Sequence, residues 1–152
     1  MIGYTGSVRA LYHCYTDGSC KKSSGEPGGW GVFIRCPDGR SFESSGGEIG
    51  TTPLKMELSA IVAALELLPG QSRAVIYSDS HSALDHCSKH WKTGCPQSLP
   101  LLKLIDLVIR EKALEVEWKW IRGHNGNEGN ERADALAAAG ARNARKKLDD
   151  GK

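Results

Sequence analysis

Four acidic residues stand where chemistry is possible: Asp17 in YTDGSC, Glu57 in KMELSA, Asp79 in YSDSHS and Asp134 in NERADALA. Each alone has a plain structural explanation. Asp17 precedes Gly18 and could shape a turn, and Asp79 could cap the helix that follows it. Glu57, one turn into its helix, could be a solvated acid favoured by the positive helix end. Asp134 could face solvent, although Asp is a poor helix former inside an Ala-rich stretch. Brought together, the four would repel one another and their pKa values would rise, a conflict that divalent cations resolve. An all-oxygen donor set favours hard ions such as Mg²⁺ or Mn²⁺, and a pair of them can activate water and stabilise the leaving oxygen in phosphodiester cleavage. Such a site needs no cysteine or histidine ligand.

For the acids to meet, the fold must carry them to one edge. Ala10 to Thr16 (ALYHCYT) reads as a strand that stops at the turn signature Asp17-Gly18-Ser19. A polar, Gly-rich loop from Cys20 to Gly29 leads to WGVFIRC, Pro37-Asp38-Gly39-Arg40 and SFESSGGEI, the pattern of an antiparallel hairpin. Thr51-Thr52-Pro53 offers a capping hydroxyl and an early proline before LKMELSAIVAALELL, whose apolar residues recur at helical spacing until Pro69-Gly70. Ala74 to Ser78 (AVIYS) suits a central strand covered on both faces, and Asp79 follows it. Ser80 to His90 and Leu99 to Ala113 read as helices, and VEWKWI (Val116 to Ile121) as a half-buried strand. After the loop RGHNGNEG, NERADALAAAGAR closes the chain as a helix. The order predicts an α/β fold: a mixed five-stranded sheet, strands 1 to 3 antiparallel and strands 4 and 5 parallel to strand 1, flanked by helices. Ligands of such sheets gather beyond the carboxyl ends of the parallel strands, where Asp17 and Asp79 fall.

Composition bounds the rest. The 152 residues, 39% hydrophobic and 25% charged, suit one globular domain and argue against global disorder. Residues 1–142 are expected to form a single catalytic domain, and residues 143–152 a flexible basic tail. Leu58 to Leu68 is interrupted by Ser59 and Glu66 and is shorter than the ~20 residues of a membrane span, so no membrane partner is expected. MIGYTGSVRA lacks the apolar centre of a secretion signal, which points to the cytoplasm, where five cysteines would stay reduced. His86 and His90 sit one helical turn apart, but Asp85 and Cys87 point elsewhere on the helix, so no zinc site is expected. Lys and Arg number 20 against 18 Asp and Glu, a formal net charge of +2. A nucleic-acid partner would therefore be held by local patches and not by a global positive field.

YTDGSC, KMELSAIVAALELL, YSDSHSAL and WKWIRGHNGNEGNERADALA occur in the order and approximate spacing of type 1 ribonuclease H, with Trp118 and Trp120 ahead of the Gly-His loop. The chain resembles that family from about Tyr12 to Ala139. The resemblance implies a ribonuclease H-like sheet and an endoribonuclease that hydrolyses the RNA strand of RNA/DNA hybrids, giving 5′-phosphate and 3′-hydroxyl ends. It also implies two Mg²⁺ ions, for which Mn²⁺ can substitute. Asp17 would bridge both, Glu57 and Asp79 would complete the ion at the leaving group, and Asp134 the ion that holds the attacking water. His124 falls on the family's mobile-loop histidine, which helps deprotonate that water or assists product release; between Gly123 and Gly126 it could equally be a surface imidazole. Glu131 resembles an acid near the water-side metal, or is simply a first-turn acid. By the same resemblance Gly18, Ser19, Cys20 and the Gly25 to Gly29 loop lie along the RNA backbone, Thr52 lies in a pocket for a DNA phosphate, and Lys55 and His81 also touch substrate. A monomer is expected.

The chain departs from the family's pattern in places that bear on substrate. Pro53-Leu54 stands where Asn-Asn is common, and His81 where Gln is common, so amides that reach the minor groove are missing. Some members insert a Lys-rich protrusion between two helices, whereas Ser88 to Pro100 offers only Lys89, His90, Trp91 and Lys92. Phosphate contacts dominate affinity, so binding is expected to be weak or to rely on Arg142, Arg145, Lys146 and Lys147 of the tail. Two other readings compete. A related 3′-5′ exonuclease would carry Asp-x-Glu on strand 1, where this chain has Asp17-Gly18-Ser19. A catalytically weak or inactive nucleic-acid-binding domain of a larger reverse-transcribing or replication assembly would not need all four acids.

Overall fold

The computed structural model describes residues 9–20, 26–88, 98–123 and 126–151. Its elements are β1 (Leu11–Cys20), β2 (Gly28–Arg35), β3 (Ser41–Glu48), α1 (Pro53–Leu67), β4 (Arg73–Ser78), α2 (His81–Ser88), α3 (Leu99–Glu111), β5 (Glu115–Trp120) and α4 (Glu128–Asp150). The strands form one five-stranded sheet in the order β3-β2-β1-β4-β5. Strands β1 to β3 are antiparallel, and β4 and β5 run parallel to β1, as the sequence predicts.

The two sheet faces have different covers. Cys14, Val32, Ile34 and Ile76 point toward α1 and α3, where Leu58, Ile61, Leu65 and Ile105 complete the buried core. One residue along β2 from Val32, Gly31 faces α4, and a Cβ there would lie 2.3 Å from the Ala133 carbonyl oxygen. Asp17 pairs with Gly31 and therefore shares the α4 face, while Gly18 shares the α1 face. This alternation lets helices on opposite sides of the sheet deliver acids to one point.

Helix α1 starts where its hydroxyl cap predicts, with Thr52 Oγ1 accepting from the Lys55 amide at 3.1 Å. At its other end Lys112 Nζ, which follows α3, donates to the carbonyls of Glu66 at 2.6 Å, Leu68 at 2.7 Å and Leu65 at 3.4 Å. No helix among the described residues is long and apolar enough to cross a membrane.

Two expectations need correction. Strand β1 does not stop at Thr16 but pairs onward through Asp17↔Gly31, Gly18↔Trp30, Ser19↔Gly29 and Cys20↔Gly28. Asp-Gly resembles a turn because both residues are rare in strands, yet here the glycine admits a close backbone. A Cβ on Gly18 would stand 2.7 Å from the Glu57 amide nitrogen. The tail expected from Asn143 is also different, because residues 143–150 continue α4. Arg, Lys and Leu are good helix formers, and Gly140, which suggests an ending, instead packs where a Cβ would meet the Gly46 carbonyl oxygen at 2.0 Å. Arg145 then pairs with Glu26 at 3.2 Å and with Asp149 one turn on at 3.8 Å.

Candidate active site

The end of β1 and the early turns of α1 meet at a buried carboxylate pair. Asp17 is 4% exposed and Glu57 is 8% exposed, so Glu57 is not the solvated first-turn acid that its position allows. The Gly18 amide donates to Glu57 Oε1 at 2.6 Å and to Asp17 Oδ1 at 2.9 Å. Ser78, the last residue of β4, donates from its hydroxyl to Glu57 Oε2 at 3.4 Å. Beyond Ser78 comes Asp79, and carboxylate oxygens of Asp17, Glu57 and Asp79 lie within 4.8 Å of one another.

Asp79 does not cap α2. Ser80 does so, its hydroxyl accepting from the Ala83 amide at 3.1 Å. The Asp79 carboxylate belongs to the three-acid group, and β5 brackets the residue. Trp120 Nε1 donates to the Asp79 carbonyl at 3.2 Å, and Gly123 passes so close that a Cβ would lie 2.7 Å from Asp79 Oδ2. On the other face of the sheet α4 brings Asp134 beside Asp17, where it helps to raise the Asp17 pKa. All four sequence-predicted acids converge, three within the tight group and Asp134 against Asp17.

Burial and mutual repulsion set the electrostatics. Desolvation, then the charges of Glu57 and Asp79 and hydrogen bonds with Asp134 and Glu57, push Asp17 up to about 10. Burial raises Glu57 to about 7, reinforced by Asp79 and opposed by hydrogen bonds from Asp17, Gly18 and Ser78. Without a countercharge, the cluster retains a proton at neutral pH. Its donors are all oxygens, and packed helices and strands fix them, so a hard divalent cation fits the place of that proton.

The expected substrate residues surround this centre unevenly. Ser19 and Cys20 continue β1 half-exposed, and Cys20 Sγ donates to the Thr51 carbonyl at 3.8 Å. Burial, followed by the charge of Glu26, raises the Cys20 pKa. Thr52 is engaged as the α1 cap, and Lys55 Nζ is held by Glu48 Oε1 at 2.8 Å. His81 opens α2 and stacks on Trp120, with ring centroids 4.4 Å apart and planes 12° from parallel. Glu131 is exposed in the first turn of α4. His124, Gly25, and Lys89 to Lys92 lie outside the described residues, as does His90 of the rejected zinc pair. His86 is bound to its own helix, Nδ1 lying 2.7 Å from the Ser82 carbonyl oxygen.

Sequence reasoning passed over Ser78, Trp120 and Gly123 as parts of the site. Ser78 had a readable signal, since a hydroxyl next to Asp79 at the end of a buried strand must find a partner inside.

Comparison with known proteins agrees with this geometry. Residues 9–142 match the RNase H family model. A Ribonuclease H of Albidiferax ferrireducens is 37% identical over 137 residues, covering 83% of this chain and 91% of that protein. One from Chromobacterium violaceum is 40% identical over 137 residues with the same coverage of both chains, 83% and 91%. Among solved structures, the N-terminal RNase H domain of a Mycobacterium tuberculosis protein superposes with a TM-score of 0.76 at 20% identity, covering 91% of this chain and 99% of that one. LC9-RNase H1, a type 1 enzyme, gives 0.75 at 26% identity, covering 90% and 74%. LC11-RNase H1, solved in complex with RNA/DNA hybrid, gives 0.73 at 24% identity, covering 88% and 99%, a likeness of fold.

Proposed function

From the premise that this chain belongs to the RNase H family and is a ribonuclease, we propose that it hydrolyses the RNA strand of RNA/DNA hybrids with two bound Mg²⁺ ions, which Mn²⁺ can replace. The observation that carries this reading is the convergence of Asp17, Glu57 and Asp79 within 4.8 Å, with Asp134 beside Asp17. When bound, the ions would activate the attacking water and stabilise the leaving oxygen. Asp17, beside both Glu57 and Asp134, would help hold both ions, Glu57 and Asp79 would complete the one that stabilises the leaving oxygen, and Asp134 the one that activates the water. His124 accepts a proton from the water or eases product departure. Water adds to phosphorus, the bond to the 3′ oxygen breaks, and that oxygen takes a proton, so the ends are a 5′-phosphate and a 3′-hydroxyl.

The same reading assigns the approach of the hybrid. Gly18, Ser19 and Cys20 follow the RNA backbone, Thr52 and Lys55 meet a DNA phosphate near the start of α1, and His81 on its Trp120 support takes the minor groove. The helix N-terminus at Thr52 adds a positive dipole end for that phosphate. Among the described residues Cys14, Cys20, Cys36 and Cys87 form no disulfide, which suits a reducing, cytoplasmic setting.

The test is cleavage with Mg²⁺ or Mn²⁺ of hybrid, double-stranded RNA, double-stranded DNA and single-stranded RNA, repeated with Asp17→Asn. Cutting confined to the RNA of the hybrid and abolished by the substitution is expected. Equal cutting of every duplex, or cutting that survives Asp17→Asn, would overturn the proposal.

A further inference from the structure

We propose that the C-terminal half of α4 is a second nucleic-acid contact, a rigid basic rail that grips the phosphates of the duplex arm away from the cleaved position. The inference rests on the reading of the chain as a hybrid-cleaving ribonuclease H.

Helix α4 runs unbroken from Glu128 to Asp150, so it leaves the site at Asp134 and carries its cations outward in fixed steps. At ~1.5 Å per residue, Arg142 lies about 12 Å, Lys146 about 18 Å and Lys147 about 20 Å along the axis from Asp134. Along a duplex arm laid parallel to α4, at about 3.4 Å per nucleotide, these cations would stand roughly four to six nucleotides from the acids. Helical spacing puts Arg142 and Lys146 on the face opposite Gly140, Ala144 and Leu148, which pack toward the sheet. Arg142, Lys146 and Lys147 are exposed and carry no ion pair among the described residues.

What aims the rail is its anchorage. Arg145 is bound to Glu26, in the stretch leading into β2 that the family resemblance lays along the RNA backbone. On the opposite flank Ala144, Lys147 and Leu148 line a groove with Gly47, Glu48 and Ile49, just ahead of Thr52 and its DNA phosphate. Three of the nearby acids are engaged, Glu26 with Arg145, Glu48 with Lys55 and Thr51, and Asp149 with Arg145, while Asp150 at the helix end is exposed. The helix end is thus clamped between the two segments assigned to the two strands, with Arg142 and Lys146 facing outward and Lys147 at the edge of the groove. A rigid helix also loses less entropy on binding than a loose tail carrying the same charges.

The experiment uses the full chain and its Arg142→Gln, Lys146→Gln, Lys147→Gln triple variant. The Michaelis constant for cleavage is measured against NaCl on two hybrids, one of about 20 base pairs and one of about six with its single ribonucleotide cleavage position at the centre, whose arms of about three base pairs end short of Arg142. On the long hybrid KM should rise about tenfold and the slope of log KM against log salt should flatten by about two to three, near 0.9 for each phosphate that the variant no longer neutralises. On the short hybrid the two proteins should agree. Unchanged KM and slope on the long hybrid overturn the rail, and so does an equal change on both lengths. If the triple variant melts early, the charge-keeping variant Arg142→Lys, Lys146→Arg, Lys147→Arg must show wild-type KM, and failure to do so overturns it as well. A wild type that cuts neither hybrid refutes the proposed function itself, and the rail with it.

Discussion

The backbone amide of Gly18 donates to Glu57 Oε1 at 2.6 Å, so strand β1 and helix α1 hold the carboxylate pair directly, with no side chain between them. An added methyl group would stand 2.7 Å from the Glu57 nitrogen and 3.0 Å from the Met56 carbonyl carbon, both backbone atoms that cannot swing aside. Gly18→Ala is therefore expected to cost about 1–3 kcal/mol, the usual range for overpacking. It should also lower cleavage at least about tenfold by shifting Glu57 away from Asp17. Urea unfolding and a cleavage assay check the two effects, and a variant with wild-type stability and rate would refute the account.

The carboxylate cluster makes metal-free stability depend on pH. Asp17 and Glu57 have pKa values raised by folding, to about 10 and about 7. Above the unfolded carboxylate value of about 4, the native state holds protons that the unfolded state has lost, so stability must fall as pH rises. The loss runs from about pH 4 toward the raised values and is absent below it. Asp17→Asn removes the larger part. In EDTA the variant should match wild type near pH 4 and melt increasingly higher than it toward pH 8, while losing at least about a hundredfold in activity. Mg²⁺ should restore wild-type stability most at the high-pH end, because it takes the place of the proton. A wild-type to variant difference in melting temperature that stays constant with pH would sink this reading.

The strand directions and the four acids were legible because Asp17 and Asp79 follow apolar strand runs, while Glu57 and Asp134 sit in the early turns of helices whose apolar residues have a clear period. The reach of β1 was not, since Asp17-Gly18 has turn composition and the reason for the glycine is the α1 backbone, a partner 39 residues away in sequence. The length of α4 was hidden for a similar reason. Gly140 weakens a helix locally, and only its contact with Gly46 across the sheet explains its place. Trp120 alternates as an ordinary strand residue, and nothing in its spacing tells that its indole nitrogen faces the Asp79 carbonyl.

Lys112 closes the far end of α1. Its ammonium donates to the carbonyls of Leu65, Glu66 and Leu68 at the helix end, where the intrahelical ladder runs out and the Leu65 carbonyl also accepts from the Leu68 amide at 3.3 Å. Lys112→Met keeps the apolar stem and removes the charge, and should cost about 1–2 kcal/mol. Glu57 lies roughly 15 Å from this end by helical rise, so the rate at saturating substrate should not change. Equal thermal stability of the two proteins would show that the contacts add nothing beyond those made with water.

Trp120 makes two contacts with separable consequences. Its indole N–H fixes the Asp79 carbonyl at 3.2 Å, and its ring carries His81 at 4.4 Å. Trp120→Phe keeps a stacking surface and removes the donor, whereas Trp120→Ala removes both. Partners that orient a metal ligand typically contribute about 10- to 100-fold to metal affinity or activity. Trp120 reaches the Asp79 backbone carbonyl, so the lower end is expected: both variants should need about tenfold more Mg²⁺ for half-maximal activity. Only the alanine variant should also raise KM for the hybrid, because only it frees His81. With 41% of the Trp120 surface exposed, unfolding free energy should change by less than about 1 kcal/mol in the phenylalanine variant, which separates positioning from folding. Wild-type Mg²⁺ dependence in both variants would remove Trp120 from the site, and equal KM values would leave His81 positioned by α2 alone.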